Sequence, residues 1–134
     1  MTIARENFIF QIGADFRRRL YFNGVLTGYT ARLQVRSEAG AEDLVLGLTS
    51  ADGTLIMGSN YVEIDVPADT APDLSAVTRE DWLSESADDC ETPARAYGKV
   101  AAFDLKLYSG DDPAREYVPL AGEMVFVAGV TTDA

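Results

Sequence analysis

The chain has 134 residues, a length that fits one domain with a single hydrophobic core. Its 22 acidic side chains outnumber its 11 basic ones, and the formal net charge of -11 argues against general nucleic-acid binding, because duplex affinity comes largely from basic side chains. The sequence has no histidine, so it lacks the commonest general base and a common transition-metal ligand. No segment has the apolar length of a membrane span or the layout of a secretion signal, so we expect a chain that is made in the cytoplasm and has no membrane partner.

The first half of the chain is predicted to form six strands, because apolar and polar residues alternate with the period of a sheet that has one buried face. In residues 61–66, for example, Val62, Ile64 and Val66 are predicted to point inward. The six predicted strands are residues 8–12, 15–22, 30–36, 44–49, 54–57 and 61–66.

Two glycine-containing turns separate the second and third of these strands. Asn23 and Gly24 form a strong signal for a two-residue hairpin, because both residues tolerate positive φ angles. Gly28 is predicted to be the hinge of a turn that leads directly into the third strand.

Residues 68–97 form an acidic insertion with a different pattern. Residues 69–72 and 78–83 each resemble the opening of a short helix, with a capping residue followed closely by acids. Six acids between positions 80 and 91 predict a loop that projects from the sheet. The remaining segments return to strands, at residues 101–108, 115–119 and 123–130, with a tight turn at 110–113. The total of about nine strands predicts an all-β sandwich or barrel in one domain, residues 1–134.

Five segments occur in an order that resembles a known family: residues 13–17, 26–36, 58–66 followed by Asp69 and Thr70, 102–107, and 120–127. The chain is similar to small structural proteins of phages and prophages, such as the N-terminal domain of the upper baseplate proteins of siphoviruses. The resemblance leaves out the insertion at 68–97. It implies an immunoglobulin-like antiparallel β-sandwich, to which the residue pattern adds the loop and short-helix insertion at 68–97. It also implies a virion component that binds other virion structural proteins, forms a symmetric ring, and uses neither catalysis nor a cofactor.

Charge along the chain suggests which residues make these contacts. Residues 1–40 carry six arginines against three acids, a formal charge of +3, which leaves -14 for the rest of the chain. Such asymmetry favours association between unlike ends. We predict that Arg17, Arg19, Arg32 and Arg36 meet Glu80, Asp81, Asp88 and Asp89 of a neighbouring subunit or another virion protein.

Two of these predictions have a structural alternative. The triplet at positions 17–19 could instead protect a strand edge from unwanted pairing. Trp82 is a candidate anchor of the interface, since tryptophan is enriched at binding hot spots, but it could also cover one end of the sandwich.

Other functions are compatible with the sequence. A capsid decoration protein would use the same sandwich on the head of the particle, and a carbohydrate-binding module would need exposed aromatic platforms around Trp82 and the tyrosines. Catalysis ranks last, because a chain without histidine or a nucleophile motif is left with a carboxylate mechanism. Asp88, Asp89, Glu91 and Glu85 offer oxygen ligands, but they lack the spacing of an EF-hand, so no metal site is predicted.

Overall fold

The computed structural model describes residues 4–85, 94–109 and 115–128, apart from the side chains of Arg115 and Tyr117. The regular structure of these residues consists of nine strands, and no helix is found among them. None of the described segments is a helix long and apolar enough to span a bilayer. The strands are β1 (Ala4–Ile12), β2 (Phe16–Tyr21), β3 (Tyr29–Arg36), β4 (Leu46–Thr49), β5 (Leu55–Met57), β6 (Tyr61–Val66), β7 (Glu80–Ser84), β8 (Arg95–Ser109) and β9 (Arg115–Ala128).

The strands form two sheets, which confirms the predicted all-β sandwich. The larger sheet has the order β1-β9-β8-β3-β4, and β7 also pairs with β8. The smaller sheet has the order β2-β6-β5. Strands β1 and β9 are parallel and the other pairs are antiparallel, so the larger sheet is mixed rather than fully antiparallel. The immunoglobulin-like connectivity stays a prediction.

The main core lies between the two sheets. Val62, Ile64 and Val66 of β6 are buried, as predicted, and so are the alternating residues Ala31, Leu33 and Val35 of β3. Phenylalanine rings from both sheets meet there, with Phe8 and Phe16 edge to face at 5.8 Å between ring centroids. The largest fully buried side chains of this core include Phe10, Leu33, Leu48, Ile64, Leu105 and Met124.

A second, smaller core lies on the opposite face of the larger sheet. Leu83, Val100 and Val125 are buried together there, and Ile9 and Val127 pack against them. Strands β1, β8 and β9 therefore bury side chains on both faces, whereas β7 buries only Leu83. Strands of this kind carry runs of consecutive apolar residues, as at positions 124–128 of β9.

The two predicted helix openings are wrong. Residues 80–84 form β7, which pairs with β8 so that Leu83 lies opposite Ala96 and faces the second core. Residues 69–72 form a turn and irregular backbone, with the N–H of Thr70 donating to the carbonyl of Pro67 at 3.1 Å. At residues 80–84 a local capping signal of about 1 kcal/mol is outweighed by strand pairing and by the burial of Leu83.

The predicted hairpin at Asn23 and Gly24 is also wrong, because β2 and β3 belong to different sheets. The intervening chain crosses from one sheet to the other, and its residue Leu26 is buried in the main core. The turn at Gly28 is confirmed. The N–H of Tyr29 donates to the carbonyl of Leu26 at 3.0 Å, and Gly28 has a φ of 86°, the angle that a type II turn requires at its third residue.

The last two predicted strands are a single strand, β9. Its register against β8 shifts between Leu105 and Leu107, whose partners are Leu120 and Tyr117. The extra residue is a bulge next to Pro119, a position that proline tolerates because it has no N–H to donate. The predicted tight turn at 110–113 lies outside the described residues.

The parallel pairing of β1 with β9 leads to a stability prediction. A Cβ atom at Gly122 would overlap the backbone oxygen of Glu6 and approach Phe103 to 3.1 Å. We expect Gly122→Ala to lower the free energy of unfolding by at least about 2 kcal/mol, measured by urea denaturation, because the obstacle is backbone that cannot swing away.

Gly47→Ala in β4 is the matched control. Its Cβ would meet only the end of the Leu44 side chain, at 3.2 Å, so the change should stay within about 0.5 kcal/mol. Equal destabilisation by the two substitutions would contradict the assigned contact between β1 and β9.

Candidate interaction site

Arg17 and Arg19 lie on the outer face of the smaller sheet and form ion pairs within the chain. Arg17 Nε lies 3.0 Å from Asp65 Oδ1, and Arg19 Nη2 lies 2.8 Å from Glu63 Oε1. Each carboxylate is the direct cross-strand neighbour of its arginine. Strand β2 is an edge of its sheet, as the edge-protection alternative requires. The interface role of these two arginines stays a prediction.

Arg18 points to the other face of β2, as its spacing from Phe16 predicts, and its guanidinium lies 4.8 Å from the centre of that ring. It forms an ion pair with Glu85, with Nη2 2.6 Å from Oε1. The second carboxylate oxygen of Glu85 accepts a hydrogen bond from the N–H of Ile9 at 3.0 Å. Glu85, the residue directly after β7, thus joins the edge strand β2 of the smaller sheet to the edge strand β1 of the larger sheet. These contacts link segments that are far apart in the chain, so no local sequence pattern predicts them.

Arg32 and Arg36 lie on the outer face of the larger sheet, on the opposite side of the sandwich from Arg17 and Arg19. The guanidinium of Arg32 lies 5.2 Å from the centre of the Tyr108 ring. Arg36 donates to Gln34 Oε1 at 2.9 Å and to the backbone oxygens of residues 42 and 43. The four predicted arginines therefore do not form one continuous patch.

Trp82 belongs to an exposed cluster on the β7–β8 pair. Its side chain is 56% exposed and its cross-strand partner Tyr97 is 51% exposed. The two rings meet edge to face, 5.7 Å apart and inclined by 64°. The guanidinium of Arg95 lies 5.0 Å from the centre of the tryptophan ring. We call Trp82, Tyr97 and Arg95 the tip cluster.

The exposure of the tip cluster follows from the length of β8. Tyr97 has the same strand parity as Ala101 and Phe103, which are buried in the main core. The side chains of Trp82 and Tyr97 therefore lie on an extension of the core-facing surface. Their exposure means that the smaller sheet does not cover this extension, so Trp82 does not close the end of the sandwich.

Two of the four acids predicted for the interface, Glu80 and Asp81, belong to the same strand as Trp82 of the tip cluster. Glu80 lies opposite Lys99 and is exposed. Asp81 accepts hydrogen bonds from the N–H of Trp82 at 2.8 Å and from Arg79 at 3.3 Å, and these bonds hold the pKa of its carboxyl below the ordinary value. Asp88 and Asp89 lie outside the described residues.

A groove of about 630 Å³ lies on the outer face of the larger sheet, bordered by Arg5, Ser37, Glu38, Arg79 and Glu123. Most of its polar groups already have partners within the chain. Arg79 is bound by Glu123 and Asp81, and Ser37 donates from both its hydroxyl and its N–H to Asp43. These two hydrogen bonds lower the pKa of Asp43, which makes its carboxylate a weaker base.

Within the described ranges, no group of three or more His, Cys, Asp or Glu side chains is arranged to hold a metal ion. Comparison with known proteins assigns no relationship, since no family model and no curated protein matches the chain. The tip cluster is thus the candidate site, on the chemistry of its own residues. Sequence reasoning found Trp82 but missed Tyr97 and Arg95, which only the β7–β8 register brings next to it.

The ion pair between Arg18 and Glu85 leads to a second stability prediction. Glu85 is 17% exposed and Arg18 is 37% exposed, so Glu85→Gln would leave a partly buried guanidinium without its counter-charge. We expect a loss of about 1–2 kcal/mol in the free energy of unfolding, less than for a fully buried pair because water reaches Arg18.

Asp65→Asn provides the comparison, since it breaks the pair with Arg17, whose side chain is 70% exposed. That loss should stay below about 0.5 kcal/mol in the same urea titration. A smaller effect for Glu85→Gln than for Asp65→Asn would show that Glu85 does not hold the two sheet edges together.

Proposed function

We propose that this protein is a non-enzymatic structural component of a bacteriophage particle, in the tail, neck or baseplate. It is made in the host cytoplasm and works in the virion by binding other structural proteins. Several copies surround a symmetry axis. The proposal is supported by the resemblance of the sequence to small phage structural proteins, by the β-sandwich, and by the chemistry of the tip cluster.

The tip cluster is the observation that carries the proposal. Tryptophan, tyrosine and arginine are the residue types most enriched at protein-binding hot spots, and here all three are exposed, with Trp82 in contact with both of the others. Ring contacts hold the side chains in place before a partner arrives, so little side-chain entropy is lost on binding. An exposed tryptophan also gains more apolar burial on docking than any other side chain of similar exposure.

A capsid decoration protein is the first alternative, because it would use the same sandwich and the same kind of contact on the head of the particle. The position of the protein in the assembled virion separates the two. A tail protein lies on the tail axis, whereas a decoration protein follows the capsid lattice.

Carbohydrate binding is a second candidate, favoured by the exposure of two neighbouring aromatic rings at the tip cluster. The arrangement fits this role less well, because the rings are inclined by 64° rather than forming one flat platform. The guanidinium of Arg95 also covers part of the tryptophan ring. Binding of the purified protein on a glycan array, abolished by Trp82→Ala, would favour this candidate over the proposed one.

The proposal is tested in particles produced by a lysogen that carries the gene. We expect mass spectrometry to find the protein in gradient-purified particles, and a cryo-electron microscopy map to locate several copies around the tail axis. Trp82→Ala should reduce its incorporation at least about tenfold, because a hot-spot tryptophan is lost. Ile56→Ala, which alters an exposed apolar residue on the outer face of the smaller sheet, should leave incorporation unchanged. Complete particles without this protein would overturn the proposal.

A further inference from the structure

A second cavity lies far from the tip cluster, where the edge strand β2 approaches β1 and β9. Its volume is about 250 Å³, and it is bordered by Glu6, Leu20, Tyr21, Phe22, Pro119 and Leu120. We call it the edge cleft. Pockets for small ligands usually have volumes of about 300–1,000 Å³, so the edge cleft has the size of one large side chain rather than of a ligand.

The lining of the edge cleft combines apolar side chains with the polar and charged groups of Glu6, Arg19 and Tyr21. Leu20, Phe22 and Pro119 are half-buried, so part of their apolar surface remains open to a partner. Arg19 also borders the cleft, but its guanidinium is already bound by Glu63. Glu6 makes no ion pair within the described part of the chain, and this leaves the cleft with an uncompensated negative charge.

The tip cluster has the complementary composition. It offers one large apolar ring, Trp82, beside one cation, Arg95. Arg95 contacts that ring but makes no ion pair with any residue that the structure describes. Arg95 and Glu6, each next to an exposed apolar group, therefore both lack an ion-pair partner among the residues that the structure describes.

The two surfaces cannot meet within one molecule. Tyr97 of the tip cluster lies near the start of β8, whereas Leu120 of the edge cleft pairs with Leu105 further along the same strand. Tyr97 and Leu105 are eight residues apart in β8, which corresponds to about 26 Å along the strand. Contact between tip cluster and edge cleft thus requires two copies.

We propose that copies of this chain associate head to tail, with the tip cluster of one copy seated in the edge cleft of the next. Trp82 packs against the apolar side chains of the cleft, Leu20, Phe22 and Pro119, and Arg95 pairs with Glu6. Two different surfaces meet in such a contact, so it is heterologous, and repetition closes into a ring if the rotation between copies permits it. This inference rests on the proposed function and specifies which surfaces form the symmetric assembly.

Sedimentation velocity of the purified full-length protein over a range of concentrations tests the association. We expect wild-type protein to form oligomers larger than a dimer. Trp82→Ala should raise the dissociation constant at least about tenfold, because a central aromatic anchor is lost. Ile56→Ala should leave it unchanged, since Ile56 borders neither surface.

A charge exchange tests the pairing itself. Arg95→Glu and Glu6→Arg should each weaken association, because each places like charges together in the contact. The double variant Arg95→Glu with Glu6→Arg should associate again, and so should a mixture of the two single variants, in which each copy supplies what the other lacks. Far-ultraviolet circular dichroism of each variant checks that the fold is retained.

Three results would overturn the inference: a wild-type protein that stays monomeric, association that is insensitive to Trp82→Ala and Glu6→Arg, or a double variant that does not recover. Each leaves the proposed function to its own test, since a monomer found on the tail axis of purified particles would still be a virion component. Absence from particles with intact head-to-tail association would overturn the proposed function alone.

Discussion

Strand β8 is the longest strand that the structure describes, and it pairs with three other strands. Its 15 residues pair with β9 on one side and with β3, then β7, on the other, so one continuous ladder holds most of the larger sheet. The smaller sheet covers only part of its inner face. Beyond that cover, the alternation that buries Ala101 and Phe103 exposes Tyr97 and places Trp82 beside it. The same pairing that builds the core therefore creates the candidate site.

Free strand edges are bonded by side chains rather than left open. On β1, the N–H of Ile9 donates to Glu85, and on β4 the N–H of Thr49 donates to Thr54 Oγ1 at 3.0 Å. On β7, Asp81 accepts from the N–H of Trp82, while the carbonyl of Ser84 accepts from Asn7. Strand β2 carries three arginines at its edge. These devices disfavour edge-to-edge pairing between copies.

Several charged side chains of the described residues are bound within the chain. Arg17, Arg19 and Arg79 are each bound by a carboxylate of the same molecule, and Arg36 is bound by backbone oxygens and a glutamine. Exposed pairs of this kind contribute less than about 1 kcal/mol each, so they neutralise a surface more than they stabilise it. In the proposed head-to-tail contact, specificity comes from the placement of Arg95 and Glu6 next to apolar surface rather than from net charge.

The strands before Pro67, their inward residues and the turn at Gly28 could be predicted from the sequence, because each depends on local alternation or on one residue's conformational freedom. Other features could not be predicted from the sequence. Residues 80–84 form a strand, Asn23 and Gly24 connect two sheets, and the four predicted interface arginines lie on opposite faces of the sandwich. The tertiary structure also brings Tyr97 and Arg95 to Trp82 and Glu85 to Arg18. These features depend on pairing between segments that are far apart in the chain. The free energy gained by that pairing is larger than the local conformational preferences that a short sequence pattern reveals.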